Sequence, residues 1–258
     1  LIDYYSFTED FNHLLNSCTS LSDAGFSSLT NFIMLFLKKL QFKSSVSNRF
    51  TKSTFYSICD NLASTDPDLA AIIKAHGYPP FWSRPNTFET LVHIILEQQV
   101  SLASALSALN KLKERLGELT PARLLLLTDE EMRACYCSRQ KTIYLKYLAE
   151  ALLSGQLTLA ELEDLPDNEI RAKLVALKGI GNWTADVYLM FVLQHSDVFP
   201  IGDLAAVNAM KRVKSLPADT TKEQILEIAT KWQPYRTIAT MLLWHYYLSV
   251  PKNKGLIV

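Results

Sequence analysis

Leu174-Val175-Ala176-Leu177-Lys178-Gly179-Ile180-Gly181-Asn182-Trp183-Thr184-Ala185 reads as the end of one helix, a tight turn and the start of another, and the rest of the chain is organised around it. Leu174 and Leu177 close an amphipathic segment. Two glycines separated by one residue predict a backbone turn that a side chain would obstruct. A second helix is expected from about Asn182, running through Ala185, Val187, Tyr188, Met190 and Phe191. A glycine-rich turn that feeds a helix N-terminus aims backbone N–H groups outward, and together they make an anion site that fits a phosphate. Beyond that helix comes Phe199-Pro200-Ile201-Gly202-Asp203-Leu204-Ala205, which places Asp203 22 residues after Gly181 and just before another apolar helix. Asp is favoured immediately before a helix start, so Asp203 reads first as an N-cap. A capping carboxylate at a cleft is also one held in place for chemistry.

Glycine-x-glycine alone is a weak signal, because many tight turns contain it. The combination is specific. Leu177-Lys178-Gly179-Ile180-Gly181-Asn182-Trp183-Thr184-Ala185-Asp186-Val187-Tyr188-Leu189-Met190-Phe191, followed by Asp197-Val198-Phe199-Pro200-Ile201-Gly202-Asp203-Leu204, resembles the helix-hairpin-helix-GPD superfamily of base-excision DNA glycosylases. Within it the segment is most similar to the 3-methyladenine DNA glycosylase II (alkylpurine) branch. The Trp232-Gln233-Pro234-Tyr235-Arg236 run and the aromatic helix after it match the family's C-terminal pattern, so the resemblance covers about residues 51–250.

The resemblance implies an all-α fold: two helical lobes with a DNA-binding cleft between them, and a helix-hairpin-helix motif followed by a Gly/Pro-Asp loop. It implies a glycosylase domain over residues 51–258, with lobe A at about 88–195 and lobe B at about 51–87 plus 196–258. Residues 1–50 are left as an N-terminal extension, either a short helix packed on the domain or a loosely held segment. Its apolar run Phe32–Leu37 is too short to span a membrane. Fifty residues are also too few for the mixed α/β domain that some members of the branch carry.

The same resemblance assigns roles. Asp203 falls on the catalytic carboxylate. Gly179 and Gly181, with Lys178 and Thr184 nearby, fall on the hairpin that grips DNA backbone. Gln98 and Gln99 occupy the tip that enters the duplex and fills the gap left by an extruded base; which of the two inserts is left open. Electron-deficient alkylated purines should stack on electron-rich rings, and Trp183 and Trp244 are the first candidates, with Tyr188 a weaker one. In bifunctional relatives a lysine in the hairpin's second helix attacks the sugar. The corresponding residue here is Trp183, and Lys178 lies on the other side of the turn. The expected activity is therefore monofunctional hydrolysis of the N-glycosidic bond of 3-methyladenine-type lesions, leaving an intact abasic site.

Composition bounds these expectations. Hydrophobic residues make up 48% of 258 and charged residues 20%, which is ordinary for a globular protein. Formal net charge is zero, yet residues 171–258 hold eleven Lys/Arg against six Asp/Glu, and residues 51–170 eleven against sixteen. That asymmetry suits a DNA-facing C-terminal half, although charge of this size is usually a solvated surface. The cysteines Cys18, Cys59, Cys135 and Cys137 have no zinc spacing. None follows Cys137, where endonuclease III-like relatives carry a four-cysteine motif, so neither a metal nor an iron–sulfur cluster is expected. The resemblance leaves room for a monovalent cation on the hairpin carbonyls.

The expected partner is double-stranded DNA containing alkylated or damaged bases, with no membrane and with the protein acting as a monomer. The expected location is the bacterial cytoplasm at the nucleoid, or the nucleus in a eukaryote. Three other readings stay open: a non-catalytic helix-hairpin-helix DNA-binding module, a glycosylase of different lesion preference, and a helical interaction protein whose Gly-Ile-Gly turn is only a turn.

Overall fold

A computed structural model describes residues 49–250. The extension expected over residues 1–50 lies, but for Arg49 and Phe50, outside the described residues, as does Cys18. Among the described residues the structure has thirteen helices and no strand, apart from one isolated bridge between Arg49 and His195.

Local chemistry sets most of the boundaries. The first helix, α1 (Lys52–Thr65), is followed by α2 (Pro67–His76). Asp66 caps α2 by accepting from the amides of Asp68 and Leu69, Pro67 sits in its first turn, and Gly77 closes it at φ 77°. Next come α3 (Phe88–Glu97), α4 (Leu102–Leu116), α5 (Pro121–Leu125), α6 (Asp129–Ala134) and α7 (Arg139–Leu153), each begun by a Ser or Thr whose hydroxyl accepts a first-turn amide. After α8 (Leu159–Leu162) and α9 (Asp167–Val175), the hairpin leads into α10 (Asn182–Phe191), which is followed by α11 (Leu204–Val213), α12 (Lys222–Thr230) and α13 (Arg236–Ser249).

The most extensive helix contacts fall into two sets. In one, α13 packs on α11, α2 and α1; in the other, α3 packs on α4, α7 and α10, α7 on α5 and α6, and α9 on α10. The buried side of α3 is wider than one face: Leu91, Val92, Ile94, Ile95 and Leu96 are all buried. Each such side chain contributes roughly 1.5–3 kcal/mol on leaving water. The helix thus runs through the interior and brings Gln99, two residues past its end, to the surface.

Two polar clasps tie distant segments together. Lys214 Nζ donates to both oxygens of Asp66 (2.6 Å each) and to Asp68 Oδ2 (2.9 Å), while Trp232 Nε1 donates to Asp66 Oδ2 (2.7 Å). Arg236 grips Asp197 through Nε–Oδ1 (2.7 Å) and Nη2–Oδ2 (3.0 Å), the forked geometry in which Arg binds carboxylates best. Its neighbour Thr237 donates from Oγ1 to the His195 carbonyl (2.6 Å) and accepts from the Val198 amide (3.0 Å). The start of α13 therefore staples the 195–198 loop, which fixes where the Asp203 turn begins.

Among the described residues no helix is long and apolar enough to cross a membrane.

Candidate active site and nucleic-acid interface

The hairpin forms where it was expected, but its two glycines do different work. Gly179 has φ 92°, and a Cβ added there would lie 2.1 Å from Cγ of Tyr144, whose ring packs on the turn from α7. Only glycine fits. Gly181 has φ −102° and ψ −178°, extended backbone open to any residue, and a Cβ there would meet nothing within 4 Å. The reading that both glycines keep a side chain from obstructing the turn therefore holds for Gly179 alone. With no side chain at Gly181 to cap α10, the first-turn amides from Asn182 onward have no side-chain acceptor, so the helix start presents bare N–H groups. The two hairpin helices are cross-braced by Arg171 Nη2 and Asp186 Oδ1 at 2.6 Å, with burial pushing the Asp186 carboxyl above the usual range despite the guanidinium.

Gln98 and Gln99 separate cleanly. The Gln98 side chain turns inward, its Nε2 donating to the Gly179 carbonyl (2.8 Å) and to Thr184 Oγ1 (3.0 Å). Gln99 is exposed and sits at φ 57°, the left-handed region that a non-glycine residue seldom adopts. The α3 tip is further held by Lys141, whose Nζ donates to the Leu96 carbonyl (2.5 Å) and whose pKa is lowered by burial. Lys141 is thus a cation at the C-terminus of α3.

Asp203 is the N-cap of α11: its Oδ1 accepts from the Ala206 amide at 2.8 Å. The same carboxylate collects both candidate tryptophans. Trp244 Nε1 donates to Oδ1 (2.9 Å) and Trp183 Nε1 to Oδ2 (2.8 Å). Both indoles are half-buried. Trp244 stacks on Phe191 with ring centroids 5.1 Å apart and planes at 17°, and Trp82 meets Phe191 edge-on at 6.5 Å.

Phe191 and Trp82 were not singled out from the sequence. Phe191 had a signal, lying eight residues after Trp183 and so on the same face of α10. Trp82, in an extended connector, had none. The connector is placed by Arg84, which grips the buried Glu97 through two bonds (2.8 and 3.0 Å) and donates its amide to the Phe191 carbonyl (2.8 Å).

Two candidates, Tyr188 and Thr184, are placed elsewhere than their expected roles need. Tyr188 is fully buried, its hydroxyl donates to Asn86 Oδ1, and burial pushes the phenol up. It is a core residue with no face for a base, because α10 is covered from Thr184 to Phe191. The Thr184 hydroxyl is likewise inside (1% exposed) and occupied by Gln98, so it cannot reach a phosphate. Lys178 is at the surface, its Nζ 4.8 Å from the centre of the Tyr147 ring. Among the described residues no three His, Cys, Asp or Glu side chains converge as metal ligands would.

Residues 92–234 match the model of the HhH-GPD superfamily of base excision DNA repair proteins. The DNA-3-methyladenine glycosylase 1 of Schizosaccharomyces pombe is 33% identical over 191 residues, 71% of this chain and 84% of that protein. The structure of the S. pombe 3-methyladenine DNA glycosylase in complex with abasic DNA superposes with a TM-score of 0.68 at 32% identity, covering 73% of this chain and 95% of that one. A DNA-3-methyladenine glycosidase from Bacillus halodurans superposes with a TM-score of 0.62 at 30% identity, over 73% and 88% of the two chains.

Proposed function

The chain belongs to the HhH-GPD superfamily of base excision DNA repair proteins, and from that premise we propose that it is a monofunctional DNA glycosylase hydrolysing the N-glycosidic bond of alkylated purines in duplex DNA. One observation carries the proposal: the Asp203 carboxylate is held by two indole N–H groups at the foot of an aromatic cluster, on the loop that follows the hairpin helix.

A base inside a duplex is out of reach, so the nucleotide must be everted, at a cost of roughly a few kcal/mol that is least for damaged pairs. Gln99, exposed at the α3 tip, fills the vacated stack, while Gln98 braces that tip against the hairpin. The open amides at the start of α10 take a backbone phosphate. Gly181 suits this because a chain without Cβ lets the phosphate approach the backbone closely. Lys178, exposed beside the turn, adds positive charge. Should a monovalent cation join the hairpin, the carbonyls of 177–181 would hold it, with that of Gly179 already accepting from Gln98.

Cleavage of the N-glycosidic bond builds positive charge on the sugar, as in glycoside hydrolysis. The Asp203 carboxylate stabilises that charge and orients the incoming water. A cationic or electron-poor alkylpurine stacks on Trp183 and Trp244 and leaves without strong acid assistance. No lysine stands at Trp183 to form a Schiff base, so the product is an abasic site in an unbroken strand.

The test is release of methylated bases from alkylated duplex DNA by the purified protein. Asp203→Asn should abolish release and keep DNA binding. No release by the wild type would leave only a DNA-binding module, and undiminished release by the variant would remove Asp203 from the chemistry. Borohydride should trap no covalent protein–DNA complex; a trapped adduct would overturn the monofunctional assignment.

A further inference from the structure

Stacking on a base would use the ring faces of the two tryptophans. Their indole N–H groups do something else, and the carboxylate geometry shows what. Asp203 receives three hydrogen bonds: Ala206 N (2.8 Å) and Trp244 Nε1 (2.9 Å) on Oδ1, and Trp183 Nε1 (2.8 Å) on Oδ2. A carboxylate has about four lone-pair sites, so one remains, and it is on Oδ2. A helix cap alone would leave the carboxyl group free to rotate about its last torsion, which is broad for an sp³–sp² bond. Bonds to both oxygens remove that rotation.

We infer that Trp183 and Trp244 are positioning residues for Asp203: their indole N–H groups orient the carboxylate so that a fixed lone pair of Oδ2 faces the sugar on which positive charge develops. The inference rests on the reading of Asp203 given under Proposed function and adds to the stacking role. Preorganised charge works only where it is aimed before the reaction starts, and these bonds do the aiming.

The two indoles are not equivalent. Without Trp244 the carboxylate keeps one donor on each oxygen, from Ala206 and Trp183. Without Trp183 both remaining donors sit on Oδ1, and Oδ2 is released. Loss of Trp183 is therefore the more damaging of the two.

The test uses ligands that contain no base, so that stacking cannot contribute. Duplexes carrying a neutral tetrahydrofuran abasic site or a cationic pyrrolidine abasic site at one position are compared by dissociation constant. Wild-type protein prefers the pyrrolidine duplex, and Asp203→Asn removes the preference. Trp183→Phe, which keeps an aromatic ring but no donor, lowers the preference by about tenfold or more, the worth of a hydrogen bond to a charged group. Trp244→Phe lowers it less. Neither substitution adds a loss in the Asp203→Asn background, because residues acting through one partner are not additive.

If both Phe variants keep the wild-type preference, the tryptophans are stacking surfaces only and the inference fails. If the wild type itself shows no preference, the fault lies earlier, with Asp203 as the group facing the sugar. Should a Phe variant also lose affinity for the tetrahydrofuran duplex, its pocket has collapsed. The measurement is then repeated with the benzothienyl isostere of tryptophan, which has the indole's shape and no N–H; retained preference there overturns the inference.

Discussion

Gln98 and Gly179, 81 residues apart, are joined by a 2.8 Å hydrogen bond from the glutamine amide to the glycine carbonyl. The bond makes the α3 tip and the hairpin one unit, with Thr184 Oγ1 as its second acceptor. Two polar atoms at the hairpin thus depend on one side chain.

Gln98→Ala should lower stability by about 1–3 kcal/mol, because it leaves those acceptors without their donor. Gln99→Ala should leave the melting temperature almost unchanged and reduce base release instead. Thermal unfolding and single-turnover excision assays on both variants check this; equal loss of stability in the two would show that Gln99 is also a structural residue.

Substituting the hairpin glycines should give opposite results. Gly179→Ala forces a Cβ to 2.1 Å from the Tyr144 ring at a φ of 92°, and should cost more than about 2 kcal/mol through overpacking and backbone strain. Gly181→Ala meets nothing within the chain, so its melting temperature should stay near wild type while DNA affinity falls and the salt slope of binding shrinks. A Gly181→Ala protein that binds DNA as the wild type does would remove the phosphate from that turn.

The Asp66 clasp makes a prediction about acid. Burial pushes the Asp66 carboxyl up, but the Lys214 ammonium and the Trp232 N–H together outweigh it and hold the group below the ordinary aspartate value. A lowered pKa adds stability that is complete above the unfolded value of about 3.9 and lost as pH falls through the folded value. Urea unfolding below about pH 4 should show wild-type stability falling more steeply than that of Asp66→Asn. At neutral pH the substitution should cost about 2 kcal/mol, since it removes a charge-assisted bond and leaves Lys214 with Asp68 as its remaining carboxylate. Parallel acid profiles would show that the clasp carries no such linkage.

Burial pushes the thiols of Cys59 and Cys137 up to about 12. Thiolates, not thiols, react, so neither should be modified by a thiol reagent at neutral pH until the protein unfolds. Rapid labelling of either in the native protein, mapped by mass spectrometry, would contradict this burial.

The local parts of the molecule were legible in the residues because their causes lie within about four positions along the chain. Asp66-Pro67 starting a helix, Gly77 ending it, Thr128 with Glu131 as a capping box and Asp203 as the cap of α11 each need only neighbours. So does the Gly-Ile-Gly turn. What only the tertiary structure decided is what covers each face. A 3.6-residue period shows that a helix has a buried side, but not that α10 is covered so far round that Tyr188 and the Thr184 hydroxyl are lost to a ligand. Nor does it reveal that Trp244 reaches back 41 residues to Asp203, or that Phe191 and Trp82 complete the cluster. Those pairings are set by how helices far apart in the chain pack together, and the spacing of residues within one segment carries no record of it.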